Sequence, residues 1–285
     1  MILLTGVTGL IGRATAEYLL DRGVEFRGLA RDPEKVADLC NRGMEAIRGD
    51  MLDAADMAKA TRGIAAAMLV SPNGKRQLEM EGVFAQAAAA AGIRHLVKIS
   101  TIRATPDAKA LFPRTHFQSE EFIRSLGIRW TMLRANFFLQ NLFAYAPSIT
   151  KSATFTLPVG RIGIGMIDAR DVAEIAARSL LDVGPESSSR DVSGAELLDF
   201  YVVAARMSAV LGREVRYVEQ SPADFRVFLE KIVPNPWQVN GVCELFEEIA
   251  HHALGPVTDN TAQLLGRPPR SLESFLADYA ERFTA

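Results

Sequence analysis

Three glycines near the N-terminus constrain this chain more than any other feature. An apolar run, Ile2–Thr5, leads directly into Gly6, and Gly9 and Gly12 follow at equal spacing as an amphipathic segment, Leu10–Asp21, begins. Glycine here permits a tight turn, lets the backbone approach a diphosphate and lets the helix pack against the strand. The free N–H groups at the start of the helix then face the anion. The pattern predicts a turn that binds the diphosphate of a dinucleotide; the alternative is an ordinary strand-to-helix turn. The predicted contacts come from Gly6, Thr8, Gly9, Leu10, Ile11 and Gly12.

Residues 1–135 alternate short apolar runs with segments of helical period, which is typical of consecutive βαβ units. We therefore predict a Rossmann-type α/β fold, a doubly wound parallel sheet. The predicted strands are Ile2–Thr5, Val24–Ala30, Glu45–Arg48, Ala65–Val70, His95–Ile99 and Ile128–Leu133. The predicted helices are Leu10–Asp21, Pro33–Arg42, a segment through Met80–Ala91, Thr115–Leu126 and, later, Val172–Leu181.

Beyond about residue 145 the alternation weakens and helical patterns dominate. We expect residues 1–145 to form a dinucleotide-binding Rossmann domain with 166–194 packing back on it. Residues 146–165 and 195–285 are expected to form a smaller, mostly helical substrate-side lobe. Its predicted helices are Glu196–Leu211, a segment that opens at Ser221–Pro222, and a final helix with Leu272, Phe275, Leu276, Tyr279 and Phe283 on one face.

Composition excludes several classes of function. The 285 residues carry a net charge of −2 without a run of basic residues, so a nucleic-acid partner is not expected. Cys40 and Cys243 lie far apart and outside any metal-ligand spacing, so we expect neither a disulfide framework nor a metal site. No stretch approaches a membrane span, and the chain begins with a strand instead of a targeting segment. We expect a soluble, cytoplasmic protein that acts on a small molecule, without a membrane partner.

The end of the second predicted strand indicates which nicotinamide dinucleotide binds. An acidic side chain there accepts a hydrogen bond from the ribose of NAD, whereas an Arg accommodates the 2'-phosphate of NADP. Arg31 lies nineteen residues after Gly12, with Lys35 close behind, and the two favour NADP(H). Asp32 leaves two interpretations open. It binds the ribose of NAD, or it is the N-cap of a helix whose first residue is Pro33.

These residues, together with later motifs, resemble the NmrA-like family of atypical short-chain dehydrogenases, which includes quinone reductases, azoreductases and NADP-binding redox sensors. The match touches nearly the whole chain. Its segments are Gly6-x-x-Gly9-x-x-Gly12, Arg31-Asp32-Pro33-x-Lys35, Gly49-Asp50, Val70-Ser71-Pro72, Ser100-Thr101, Leu133-Arg134-Ala135-Asn136-Phe137 with Asn141, Asp168-Ala169-Arg170-Asp171-Val172-Ala173, and Leu265-Gly266-Arg267-Pro268-Pro269.

The resemblance implies where further parts of the cofactor lie. One pair of residues is placed by the adenine, a tripeptide along the ribose and diphosphate, and two pairs near the nicotinamide. In that order these are Asp50 and Met51; Val70, Ser71 and Pro72; and Ser100 and Thr101 with Asn136 and Phe137.

One departure from the wider superfamily affects the chemistry. Most short-chain dehydrogenases carry a Tyr-x-x-x-Lys pair, in which the lysine lowers the pKa of a proton-donating tyrosine. None of the five tyrosines here has a Lys four residues on. The corresponding helix has His116 and Glu120 instead, a substitution that NmrA-like proteins share. Residues four apart lie on one helix face, so we expect Glu120 to orient His116 and to raise its pKa. The alternative is an exposed charge pair without a catalytic role.

Loss of the tyrosine also constrains the hydride acceptor. A simple ketone becomes an alkoxide of high pKa that needs a strong proton donor, whereas a quinone, an azo bond or an electron-poor enone spreads the incoming charge by conjugation. We expect such an acceptor in a flat apolar slot. The predicted lining is Phe138, Asn141 and Trp237, with Phe137 and Phe143 beside them. The alternative for the aromatic residues is a place in the core.

Two functions follow from the sequence. The first is an NADPH-dependent oxidoreductase that transfers hydride to a quinone, an azo compound or an enone. The second is a non-catalytic NADP(H)-binding redox sensor that acts on a protein partner by changing shape. A carbonyl reductase with a relocated proton donor is a third reading.

Overall fold

The computed structural model describes residues 1–182, 184, 186–251 and 257–284; residues 252–256 and 285 of the expected lobe lie outside them. The strands are β1 (Ile2–Leu4), β2 (Phe26–Ala30), β3 (Glu45–Arg48), β4 (Ala66–Leu69), β5 (His95–Thr101), β6 (Arg129–Ala135), β7 (Thr154–Leu157), β8 (Ser188–Val192) and β9 (Arg216–Glu219). The helices are α1 (Leu10–Leu20), α2 (Pro33–Asn41), α3 (Ala54–Ala60), α4 (Gln77–Ala90), α5 (Leu111–Ser125), α6 (Ala146–Ser152), α7 (Ala169–Leu181), α8 (Phe200–Leu211), α9 (Pro222–Ile232), α10 (Pro236–His251), α11 (Asn260–Leu265), α12 (Leu272–Asp278) and α13 (Glu281–Thr284), with a 3₁₀ helix at Leu139–Tyr145.

Seven strands form one sheet in the order β3-β2-β1-β4-β5-β6-β8. β1 pairs in parallel with both β2 and β4, β2 pairs with β3, and β4 pairs with β5. The chain thus runs outward from β1 to β3 and then returns to β4 on the other side of β1. This doubly wound order confirms the predicted fold class. In such sheets ligands bind at the carboxyl ends of the strands where the order reverses, which here is between β1 and β4.

The structure corrects several predicted elements. The sheet has a seventh strand, β8, and a separate parallel pair, β7 and β9, lies elsewhere in the chain. These three strands are short and rich in polar residues, so they lack the apolar runs on which the prediction depended. Helix α8 begins at Phe200 instead of Glu196, because Asp199 caps it by accepting a hydrogen bond from the Val202 N–H.

The first compact unit comprises residues 1–107, 113–134 and 172–191. Its core lies between one face of the sheet and α3, α4 and α5. Met68 points to the opposite face, since side chains alternate along β4, and its Sδ lies 3.6 Å from the hydroxyl of Thr15 in α1. The same hydroxyl lies 3.4 Å from the carbonyl oxygen of Ala173 in α7. Helices therefore cover both faces. The core includes Leu3, Leu29, Met57, Ala67, Leu69, Phe84, Ala88, Leu96, Ile123 and Met132.

The second compact unit comprises residues 108–112, 135–171 and 192–285. Its small sheet pairs β7 with β9, and Tyr217 of β9 donates a hydrogen bond to the Leu157 carbonyl at 2.8 Å. The final amphipathic segment is two short helices, α12 and α13, and its apolar residues Leu272, Phe275, Leu276 and Phe283 are buried.

These units differ from the division expected from the sequence at residues 108–112, 135–145, 166–171 and 192–194. Backbone hydrogen bonds explain part of the difference. The N–H of Asn136 donates to the Val192 carbonyl, and the N–H of Ile167 donates to the Phe137 carbonyl, so these segments stay together. The functional division into a cofactor domain and a substrate lobe stays a prediction. In the part of the chain that the structure describes, no helix has both the length and the apolar character to cross a membrane.

Candidate functional site

The turn after β1 is held together by close backbone contacts. Gly6 has a φ of 58°, and its carbonyl oxygen accepts a hydrogen bond from the Gly9 N–H at 2.8 Å. A Cβ at Gly6 would lie 2.7 Å from Cγ1 of Val70, and a Cβ at Gly12 would lie 2.1 Å from the Gly6 oxygen. The fold itself therefore requires glycine at positions 6 and 12. At the exposed Gly9, a Cβ would meet only the Gly6 oxygen, at 3.3 Å. Gly9 is the glycine whose missing side chain leaves open surface for a ligand.

The N-terminus of α1 is suited to an anion. Gly9 is the N-cap residue and has no side chain to occupy the first N–H groups, and the first turn has no acidic residue. Thr8 and Leu10 are exposed, whereas Ile11 and Gly12 are buried. The partial positive charge of the helix terminus therefore faces open surface, as an anion site requires.

Thr5, at the start of this turn, was not among the predicted site residues. Its buried hydroxyl donates to the Val70 carbonyl and accepts from the Val70 N–H, both at 2.8 Å. The two bonds tie the carboxyl end of β1 to that of β4, where the strand order reverses. A Thr at the end of an otherwise apolar strand is the only signal of it in the sequence.

The end of β2 presents cations that have no partner in the protein. Arg31 and Lys35 are exposed, and within the described ranges neither side chain forms a hydrogen bond or an ion pair. Asp32 is engaged differently. Its Oδ1 accepts a hydrogen bond from the Glu34 N–H at 2.9 Å, and Pro33 is the first residue of α2. Of the two interpretations of Asp32, the structure therefore supports the second, in which Asp32 is the N-cap of α2.

The segments expected along the adenosine follow β3 and β4. Asp50 accepts from the Leu52 N–H at 3.0 Å, and Met51 is buried. Ser71 is partly exposed and donates to Oε1 of Glu81 at 2.7 Å, and Pro72 is exposed. Their contacts with a cofactor stay predictions.

Ser71 leads into a buried polar network between β5, α4 and α5. Lys98 is 0% and Glu81 1% exposed, and Nζ of Lys98 lies 2.5 Å from Oε2 of Glu81. Ser119 also donates to Glu81, and Gln77 donates to it at 3.2 Å. Burial opposes ionisation of Glu81, but the adjacent Lys98 charge and these hydrogen bonds outweigh it and lower the pKa to about 2. Glu81 is therefore a buried carboxylate that depends on Lys98.

His116 belongs to this network and not to a pair with Glu120. Its Nδ1 lies 3.3 Å from Nζ of Lys98, and its Nε2 lies 3.3 Å from the amide nitrogen of Gln77. Burial and the Lys98 charge lower the pKa of His116 to about 4, so the expectation of a raised pKa is wrong. Both neighbours of the ring, the Lys98 ammonium and the Gln77 amide nitrogen, are hydrogen-bond donors, and a neutral imidazole accepts from one of them at a time.

Glu120 has other partners. It accepts from the Ser100 hydroxyl at 2.6 Å, from Arg134 at 2.6 and 3.0 Å, and from Arg124 at 2.8 Å. Glu120 is 0% and His116 9% exposed, so the alternative of an exposed charge pair is wrong as well. A catalytic role of either residue stays a prediction.

The sequence analysis missed Lys98, Glu81, Gln77 and Ser119. One signal was available: Lys98 interrupts the apolar strand His95–Ile99, and a charge in a buried strand needs a partner. Nothing in the sequence identified Glu81 as that partner. Among the described residues there is no group of three or more His, Cys, Asp or Glu side chains able to hold a metal ion.

The remaining expected site residues belong to the second unit. Asn136 is 3% exposed and its Oδ1 accepts from the Phe137 N–H at 2.7 Å. Phe137 and Phe138 are half-buried, and Asn141 is exposed. Trp237 is also half-buried.

Ring contacts separate the aromatic residues that were expected to form one slot. Phe137 makes edge contacts with Phe200 and Phe246 at 6.1 Å, and Trp237 contacts Phe112 at 5.5 Å. Phe143 stacks on Phe275 at 5.4 Å and contacts Tyr279 and Phe283, so it belongs to the apolar core of this unit. A substrate-lining role of Phe138, Asn141 and Trp237 stays a prediction.

The doubly wound sheet and the glycine turn define a dinucleotide-binding α/β protein. The model of the NmrA-like family matches residues 1–276, and the chain belongs to that family. The expected family is thus confirmed.

Individual relatives agree with this assignment. The chain is 30% identical over 285 residues to the NAD(P)H azoreductase of Xenophilus azovorans and covers 100% of both chains. It is 35% identical over 288 residues to the (4-alkanoyl-5-oxo-2,5-dihydrofuran-3-yl)methyl phosphate reductase of Streptomyces griseus subsp. griseus, with 99% of each chain covered. The crystal structure of an NADPH-dependent quinone oxidoreductase from Escherichia coli, complexed with NADPH, has a TM-score of 0.89 at 23% identity and covers 99% of this chain and 100% of that chain. These relatives confirm the expected class, an NAD(P)H-dependent oxidoreductase.

The Lys98–Glu81 pair generates a prediction about stability. Lys98→Met leaves the Glu81 carboxylate buried without its cation, and we expect the free energy of unfolding at pH 7 to fall by about 3–5 kcal/mol. The double variant Lys98→Met/Glu81→Gln removes both charges and should recover part of that loss. Urea unfolding measures the stability of the wild type, the single variant and the double variant. Arg76→Met, in an exposed pair with Glu79, is the control and should change little. A Lys98→Met protein as stable as the control would contradict this account of the network.

The lowered pKa of His116 predicts a pH dependence of stability. The folded state keeps the imidazole neutral down to a pKa of about 4, whereas the unfolded state takes up a proton near the ordinary value of 6.5. The contribution of His116 to the free energy of unfolding is therefore fully present above pH 6.5. It is lost as the pH falls towards 4, by about 3 kcal/mol in total. Urea unfolding between pH 7 and pH 4.5 measures the slope. In His116→Gln the slope should be smaller by about 1.4 kcal/mol per pH unit, and an unchanged slope would show that His116 titrates normally.

Proposed function

We propose that this NAD(P)H-dependent oxidoreductase uses NADPH to transfer hydride to a conjugated or aromatic small molecule, namely a quinone, an azo compound or an enone. The observation that carries the proposal is the open N-terminus of α1 at Gly9, beside the tied ends of β1 and β4. Within the described residues no side chain forms a cap hydrogen bond at this helix end, and it lies at the reversal of strand order where doubly wound sheets bind their ligands.

The proposed preference for NADPH rests on the end of β2. A 2'-phosphate is a dianion near neutral pH, and a guanidinium offers it paired, planar donors. Arg31 and Lys35 are exposed and unpaired within the described chain, so a ligand anion meets no competing carboxylate on them. Asp32, the residue that would otherwise accept from the ribose of NAD, is engaged as the N-cap of α2.

The proposed acceptor class follows from what the protein lacks. Bound NADPH supplies a hydride, and a proton must then complete the reduction. No Tyr-x-x-x-Lys pair is present to supply that proton, and conjugation in the acceptor lowers the demand for a strong acid. The names of two relatives describe such acceptors. One enzyme reduces azo compounds, and the other acts on a dihydrofuranone whose ring double bond is conjugated with carbonyl groups.

Within the proposal, Glu120 and His116 keep roles that differ from those expected. Glu120 is a positioning residue, because it accepts the Ser100 hydroxyl at 2.6 Å and is itself held by Arg134. His116, whose pKa burial and the Lys98 charge lower to about 4, is neutral at physiological pH, so it takes the role of a polar anchor and not of a general acid.

The test of the function is NADPH oxidation against a panel of quinones, azo dyes and α,β-unsaturated lactones. We expect turnover with at least one class, and deuterium from C4-labelled NADPH in the carbon-bound position of a reduced lactone. Gly9→Val should abolish NADPH binding while the protein stays folded, because the side chain occupies the surface left for the diphosphate. Binding of NADPH without turnover on any class would favour the redox sensor, and NADPH affinity unchanged in Gly9→Val would remove the assigned diphosphate site.

The proposed role of His116 has a separate test. His116→Gln should lower turnover on the best acceptor by about tenfold, the scale of one disturbed hydrogen bond to a charged group of about 1.5 kcal/mol, while the Kd of NADPH stays close to that of the wild type. His95→Gln is the matched control. His95, the first residue of β5, is buried in the same unit and forms a hydrogen bond with Thr131 of β6. Equal turnover of the two variants would limit His116 to a structural role.

A further inference from the structure

Arg48 lies beside the residue that is proposed to bind the 2'-phosphate. It is the last residue of β3, and its partner in the parallel β2–β3 pair is Ala30, directly before Arg31. The next N–H, that of Gly49, donates to the Ala30 carbonyl at 3.0 Å, so the two strand ends leave the sheet side by side. Nε of Arg48 lies 3.4 Å from the Arg31 carbonyl oxygen. The Arg48 guanidinium therefore reaches across the strand end to the backbone of Arg31.

The Arg48 side chain is free to bind a ligand. It is exposed, and it forms no ion pair with a carboxylate in the described ranges. Another arginine on the same strand pair behaves differently. Arg27 lies 2.5 Å from Glu45 and also donates to the carbonyls of Ala60 and Arg62, so its guanidinium is used within the protein. On Arg48, Nη1 and Nη2 remain for a ligand.

Nearby carboxylates do not neutralise this cation. Asp32 accepts from the Glu34 N–H, Asp50 accepts from the Leu52 N–H, and Asp56 accepts from the Asp50 N–H. Each is thus oriented towards backbone donors. Glu34 is exposed in the first turn of α2, where the helix dipole favours a negative charge.

We propose that Arg48 is a third cation of the 2'-phosphate site and that, with Arg31, it sets the preference for NADPH over NADH. The inference rests on the NADPH-dependent function proposed above. Arg31 approaches the phosphate from the end of β2, Lys35 from the first turn of α2, and Arg48 from the end of β3. The guanidinium of Arg48 gives the phosphate dianion a second pair of planar donors, which an ammonium does not supply.

The experiment compares four ligands by calorimetry: adenosine 2',5'-bisphosphate with AMP, and NADPH with NADH. The members of each pair differ only in the 2'-phosphate. Arg48→Ala should weaken the bisphosphate and NADPH about tenfold while AMP and NADH change less than about twofold, the difference expected for a lost hydrogen bond between charged groups. Arg94→Ala is the matched control, because Arg94 is an exposed arginine just before β5, at the opposite end of the strands. It should leave all four constants unchanged.

Two further variants separate the charge from the hydrogen bond to Arg31. Arg48→Lys keeps the charge and should retain part of the preference for the bisphosphate. Arg48→Gln keeps a donor for the Arg31 carbonyl but loses the charge, and it should behave like Arg48→Ala. Equal weakening of AMP and the bisphosphate in Arg48→Ala, with full binding in Arg48→Gln, would mean that Arg48 only holds the strand end, and the inference would be wrong.

The outcomes also separate this inference from the proposed function. A wild-type protein that binds AMP and the bisphosphate equally would contradict the NADPH preference itself. A wild-type protein that prefers the bisphosphate, and keeps that preference in Arg48→Ala but loses it in Arg31→Ala, would overturn only the role of Arg48.

Discussion

The approach of the Gly6 carbonyl to the Cα of Gly12 is the constraint on which the site depends. A Cβ at Gly12 would lie 2.1 Å from that oxygen, so only glycine lets the first turn of α1 pack against the end of β1. Once the turn is closed, the Thr5 hydroxyl bonds both backbone groups of Val70 and holds the ends of β1 and β4 together. The N-terminus of α1 then lies at the point where the strand order reverses. The anion site is therefore a consequence of how the first strand must enter the first helix.

A second constraint is the need to satisfy charges buried against β5. Lys98 and Ser100 lie two residues apart and so face the same side of the sheet, where each meets a different glutamate: Glu81 from α4 and Glu120 from α5. Glu81 keeps its charge despite burial because Lys98 lies against it, and Glu120 is hydrogen-bonded by Ser100, Arg124 and Arg134. His116 comes next to Lys98, and burial together with the neighbouring ammonium keeps its imidazole neutral. A neutral imidazole is not a general acid, which agrees with the proposed acceptor class, in which conjugation stabilises the added charge.

The parts of the molecule that local pattern determines were predictable. The glycine turn, the parallel sheet and the N-cap interpretation of Asp32 all depend on residues within a few positions of one another. The polar network was not, because Glu81 and Lys98 are seventeen residues apart and meet only through the packing of α4 on β5. The spacing of His116 and Glu120 correctly placed both on α5, but spacing alone does not say which strands and arginines pack against that helix. Strand β8 was missed for a related reason, since its sequence is polar and only the sheet edge makes it a strand.

The position of Asp32 shows how one carboxylate decides between two cofactors. An acid at the end of the second strand stabilises either the ribose of NAD or the start of the following helix, and the two uses compete for the same oxygen atoms. Here Pro33 fixes the first helical residue, and Oδ1 of Asp32 accepts from the Glu34 N–H at 2.9 Å, so the carboxylate is drawn towards the axis of α2. With Oδ1 of Asp32 used as a cap, Arg31 and Lys35 stay exposed beside it. The pairing of β2 with β3 brings Arg48 to the same strand end, and this pairing is why the 2'-phosphate site proposed above includes a residue from a second strand.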